Sequence, residues 1–109
     1  MNKETQTKIE SAVFNRFIKH LDEHKEVQNI DLMILADFCR NCLSKWYSSA
    51  AVELGENVSV DQAREIVYGM PYSEWKQNHQ TEASPEQMAA FNSRAELKKQ
   101  TESKKKNNS

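Results

Sequence analysis

The stretch Asn29-Ile30-Asp31-Leu32-Met33-Ile34-Leu35-Ala36-Asp37-Phe38-Cys39-Arg40-Asn41-Cys42-Leu43-Ser44-Lys45-Trp46-Tyr47-Ser48-Ser49-Ala50 decides the fold. Leu32, Leu35, Cys39, Cys42, Trp46 and Ala50 recur at steps of three and four, the period of one helix face, with Ala36, Leu43 and Tyr47 on its flank. The spacing predicts one long core helix, capped at Asn29, favoured by Asp31 in its first turn and ended by Gly55. Asp37, Arg40, Asn41, Ser44 and Lys45 fall to the polar side and read as a solvated face.

Outward from this helix, the signals remain helical. Upstream, Ile9, Val13, Phe17, His20 and His24 share one face of a helix over about Thr5 to Lys25, which Phe14, Ile18 and Leu21 widen. Downstream, Ser59 with Gln62 makes a capping box for a short helix that Gly69 terminates. Pro71 suits the first turn of a fourth helix through Tyr72, Trp75 and His79. Ser84, Pro85 and Gln87 supply an N-cap, an N1 proline and an N3 partner for a fifth, with Met88, Phe91 and Ala95 as apolar positions. No alternating strand pattern occurs, and two glycines leave little material for hairpin turns. The expectation is an all-α bundle of about five helices, the first two an antiparallel hairpin, in one domain over residues 1–100. Residues 101–109 contain no apolar side chain, and the composition predicts a disordered basic tail.

With 109 residues and 38% hydrophobic content the chain can build one modest core. Its formal charge of −1 and pI of about 6.3 provide no positive field for nucleic acid or anionic lipid. A helix-turn-helix drawn over Val60 to Gln80 is a weak alternative on the same ground. The longest apolar run is Leu32 to Ala36, far short of a membrane span, and the N-terminus lacks a signal peptide's apolar region, so a cytoplasmic protein is expected. Gly55 and Gly69 stand alone, which excludes the usual phosphate loops, and there is no Gly-x-Ser-x-Gly elbow. Trp46, Tyr47, Tyr72 and Trp75 read as core and corner anchors.

The residues able to carry chemistry are Cys39 and Cys42, three apart on a helix and so able to approach one centre. In a reducing compartment they read as thiols or metal ligands before they read as a disulfide. A metal needs more donors than two thiolates. If the first two helices form a hairpin, His20 lies roughly 6 Å along the axis from Cys39 and the two side chains lean together, while His24 sits about a turn farther off. His79, beside the Pro71 corner, is a further ligand candidate. Zinc or iron(II) suits such a set; three protein ligands would leave an open position and four would make the site structural. Two other readings stand beside it. The cysteines serve as small core hydrophobes of an interaction module or homo-oligomer, with Met33, Ile34, Met88 and Phe91 on widened apolar faces. Alternatively they form a redox pair, which a mid-helix Cys39 disfavours, because such pairs begin at a helix N-terminus.

Val27 to Met33, Phe38-Cys39-Arg40-Asn41-Cys42-Leu43-Ser44-Lys45-Trp46-Tyr47, Tyr68-Gly69-Met70-Pro71-Tyr72 and Glu74-Trp75-Lys76 together resemble a family of short proteobacterial proteins catalogued as a domain of unknown function. The resemblance covers roughly His20 to Gln87 and implies a compact helical domain, with no catalytic residues to carry over. The chain departs from that family's pattern at His24, where arginine is more common, and at Asp37, where glycine is. The first departure favours His20, Cys39, Cys42 and His79 as the ligand set.

Overall fold

The computed structural model describes the backbone of residues 1–107 and the side chains of residues 1–101. Its helices are α1 (Lys3–Asp22), α2 (Asn29–Ala36), α3 (Arg40–Glu53), α4 (Val60–Tyr68), α5 (Tyr72–His79) and α6 (Pro85–Asn107), with no strand among the described residues. The all-α expectation holds, with six helices rather than five. The extra one arises because the long central helix is two: α2 stops at Asp37, and α3 starts after Cys39.

Asp37 adopts φ +57°, the left-handed conformation that ends helices, and its N–H closes the last turn on Met33 O. Glycine is the residue to which that conformation costs least, and aspartate is among the few others that visit it. Cys39 is extended at φ −153° and becomes the N-cap of α3. The break changes which face of the following residues points inward. Trp46, which spacing places in the core, lies beyond the break and is 58% exposed; Leu35, likewise placed in the core, lies before it in the last turn of α2 and is 77% exposed. Arg40, Leu43, Ser44 and Ser48, a stripe one step around the helix, are buried instead.

That inverted stripe is what α4 packs on. The two helices run antiparallel: Asn41 accepts from Arg64 Nε and from the Tyr68 hydroxyl at one end, and Ser48 Oγ donates to Val58 O at the other. Ser44 and Ser48 are small residues on the face of α3 that packs on α4, where Ala63 and Val67 are buried. Their hydroxyls are satisfied internally, Ser44 Oγ donating to Arg40 O at 2.8 Å, so their burial leaves no orphan polar group. The expected hairpin of the first two helices is not the pairing formed. The C-terminal half of α1 lies against α3 and α4, Phe14 stacking on Tyr47 and Phe17 meeting Phe38, whereas α2 packs against α6. Leu21, Leu32, Cys39, Leu43 and Val67 close the core where these elements meet.

The helix starts and stops follow the capping signals closely. Ser59 and Gln62 form their reciprocal box, as do Ser84 and Gln87, and Gly69 ends α4 at φ +73°. At the start of α2 the cap falls one residue earlier than expected, on Gln28, whose N–H donates to the Asp31 carboxylate. Gly69→Ala would force a Cβ into the left-handed region while meeting only Asp22 Oδ1 at 3.9 Å. The expected cost is therefore conformational, about 1 kcal/mol, read as a fall of a few degrees in melting temperature.

α6 continues through Asn107, into the segment whose composition predicts a disordered basic tail. Lack of apolar residues argues against packing, not against helix, and Lys, Glu and Gln are good helix formers. Positions 108 and 109 of that segment lie outside the described residues. No described helix is long and apolar enough to cross a membrane.

Candidate functional site

The start of α3 gathers the unusual chemistry. Arg40, expected on a solvated face, is 2% exposed. Its guanidinium fills the turn between α1 and α2: Nη1 donates to Val27 O at 2.8 Å and to Asn29 Oδ1 at 3.1 Å, and Nη2 to His24 O at 3.1 Å, with Leu21 O at 3.5 Å. Its flat face lies 4.9 Å from the centre of the Trp75 ring. The cation thus sits at the C-terminal end of α1, where the helix dipole and the unsatisfied carbonyls favour it. Burial pulls the Arg40 pKa below its ordinary value, and the neighbouring Tyr68, Cys39, Glu26 and Asp22 oppose that pull. A guanidinium nonetheless keeps its proton.

Around this cation runs a polar network. Asn29 Nδ2 donates to the Tyr68 hydroxyl, which donates to Asn41 Oδ1 at 2.8 Å. Burial pushes the Tyr68 phenol well above its usual pKa, so it stays neutral and able to donate. Gln28, also buried, ties the turn to the chain after α5: its Nε2 donates to His79 O and its Oε1 accepts from Thr81 N. An open cleft of about 440 Å³ lies beside this network, walled by Gln28, Asn29, Asn41 and Tyr72. The hydrogen bonds of Gln28 and Asn29 are spent within the protein, which makes the cleft the outer wall of a structural network.

Cys39 and Cys42 come together, their sulfurs 3.4 Å apart. Both are free thiols; Cys39 is 8% exposed and Cys42 half-buried. Burial raises the Cys39 pKa more than the nearby helical N–H groups lower it, so in this environment the thiol holds its proton. Cys39 occupies the N-cap of α3 and Cys42 its first turn, which corrects the mid-helix placement expected from spacing and removes that objection to redox use. Met33, from the last turn of α2, places its sulfur 4.0 Å from Cys42 Sγ.

The histidines are elsewhere. His20 packs against His24 with tilted rings whose centres are 4.4 Å apart, and His24 Nδ1 lies 2.8 Å from His20 O. His79 packs its ring against Trp75. Among the described residues, no three His, Cys, Asp or Glu side chains are grouped to hold a metal ion. The hairpin that would have carried His20 to Cys39 is replaced by α1 lying on α3 and α4. Nothing in the spacing marks Arg40, Asn29, Asn41 or Tyr68, since a buried arginine satisfied by carbonyls leaves no pattern in sequence.

A family model described as "Protein of unknown function (DUF1244)" matches residues 27–93, more than half of the 109 residues. The match spans α2 to α5 and the first part of α6, including the cysteine pair and the Gly69 to Tyr72 corner. No curated protein matches the chain.

Proposed function

We propose, for a chain that belongs to the DUF1244 family of proteins of unknown function, that it acts as a non-catalytic interaction module and pairs with a second copy of itself through α1. One observation carries this reading. The apolar stripe of α1 runs continuously from Leu21 through Phe17 and Val13 to Ile9, but the rest of the fold covers only its C-terminal half. Leu21 is buried and Phe17 half-buried, whereas Val13 is 62% exposed and Ile9 48%. A stripe longer than the surface that covers it has apolar area left to bury.

A second copy suits this face because an isologous contact matches a stripe with itself and needs no separate complementary surface. Charges of both signs are interspersed along α1, with Lys3, Glu4, Lys8, Glu10 and Arg16, so two copies do not oppose single-signed fields. The patch expected from Met33, Ile34, Met88 and Phe91 offers less exposed area, since Met33, Ile34 and Phe91 are half-buried where α2 meets α6 and only Met88 is exposed. Sedimentation velocity across the micromolar range tests the reading. Wild type should show a concentration-dependent dimer, and Val13→Glu should be monomeric with unchanged helical circular dichroism. A monomeric wild type at every concentration would remove it.

The 3.4 Å contact of Cys39 and Cys42 supports a second reading, a zinc or iron(II) site on the paired thiols. With His20 and His79 as further ligands, both rings would have to leave their present neighbours, His24 and Trp75. Metal content of untagged protein beside Cys39→Ser and His20→Ala decides this; stoichiometric zinc or iron lost in both variants is the expected signature.

A further inference from the structure

We propose that Cys39, Cys42 and Met33 form a binding site for monovalent copper. The three sulfurs are contiguous: Cys39 Sγ is 3.4 Å from Cys42 Sγ, which is 4.0 Å from Met33 Sδ. Three sulfurs around a metal in one plane, at a bond length of about 2.3 Å, stand about 4 Å from one another. Met33 and Cys42 already have that spacing; a planar site requires the cysteine pair to open by about half an ångström and Met33 Sδ to come to the same distance from Cys39 Sγ, both through side-chain rotation.

The donor set selects the ion. Thiolate and thioether are soft ligands that favour copper(I), whereas structural zinc takes four donors and iron(II) favours harder ones. No imidazole or carboxylate is grouped with these sulfurs among the described residues. Binding replaces two S–H bonds with two S–Cu bonds and releases two protons to water, with no change in oxidation state when copper arrives as the monovalent ion.

The electrostatics also match. Two thiolates and one monovalent cation leave a net charge of −1 at the first turn of α3, where Cys39 is the N-cap. The positive end of that helix stabilises an anionic centre. So does the buried guanidinium of Arg40, whose hydrogen-bonding partners are all neutral. Cys39 is buried, Cys42 and Met33 are half-buried, and the groove between α2 and α6, lined by Met33, Asp37, Phe91 and Arg94, reaches the methionine.

The site depends neither on α1 pairing nor on the histidines, so its test separates from both earlier readings. Reduced full-length protein is titrated anaerobically with copper(I) against a bathocuproine chelator. One copper per chain should be retained, with three sulfur neighbours by X-ray absorption. Cys42→Ala should abolish retention. Met33→Leu, a volume-conserving change, should lower affinity by at least the roughly 10–100-fold that loss of even an outer-sphere partner costs, and leave two sulfurs. Should Met33→Leu fail to fold, selenomethionine-labelled wild-type protein gives the same answer through a copper–selenium neighbour. Val13→Glu, His20→Ala and His79→Ala should bind copper as wild type does. Loss of all copper to the chelator, displacement of copper by equimolar zinc, or a bound copper with no methionine neighbour would overturn the proposal.

Discussion

Arg40→Met should destabilise the fold by about 3 kcal/mol or more, the range for breaking a buried charged hydrogen-bond network. Methionine keeps much of the aliphatic volume, so the loss isolates the guanidinium. Val27 O, His24 O and Leu21 O would each lose a donor at the end of α1, and Asn29 Oδ1 would lose one of the groups holding it in place. Arg40→Lys should recover only part of this, because a single ammonium cannot reach carbonyls spread along two arms of a planar fork. Urea denaturation followed by circular dichroism measures both. An Arg40→Met midpoint within a few tenths of a kcal/mol of wild type would show that water replaces the guanidinium without loss.

The second large effect is expected at Trp75. Its ring is 1% exposed and touches Tyr68 edge-on with centroids 5.0 Å apart, the Arg40 guanidinium on its face, and His79. Trp75→Ala should cost about 3–5 kcal/mol, as large-to-small changes of buried aromatics do. Trp75→Phe should cost less, since part of the volume and an aromatic face for Arg40 remain. Because Trp75 and Arg40 are in contact, the double variant Arg40→Met/Trp75→Ala should be less destabilised than the two single effects added. Strict additivity in that cycle would show that the ring and the cation act independently.

Several elements were legible before any coordinates because their signals are local. Ser59 with Gln62 and Ser84 with Gln87 close their own backbone turns, so the residues that signal a cap also form it. The same holds for Gly69, whose positive φ is a property of its own backbone. The break at Asp37 is also a property of one residue's backbone, since aspartate is among the few non-glycine residues that visit the left-handed region. It was masked by the uninterrupted apolar spacing on either side. A single helix drawn across that break places Trp46 inward and Ser44 outward, since every later position on a helix inherits its angle from the one before.

The candidate site divides along the same line. That Cys39 and Cys42 approach one another was readable from their spacing, because three residues on or at the start of a helix always bring side chains to one side. That His20 and His79 stand apart from them, that Met33 supplies the neighbouring sulfur, and that Arg40 is buried were decided only by how α1, α2 and α5 pack. Amino-acid order by itself determined that this chain is helical, where most of its helices start and stop, and that two thiols meet. The tertiary structure alone decided which faces point inward and which distant groups touch. Caps and spacings act over a few bonds, whereas burial depends on elements tens of residues away, such as Gln28 with His79 and Thr81, whose meeting no local pattern records.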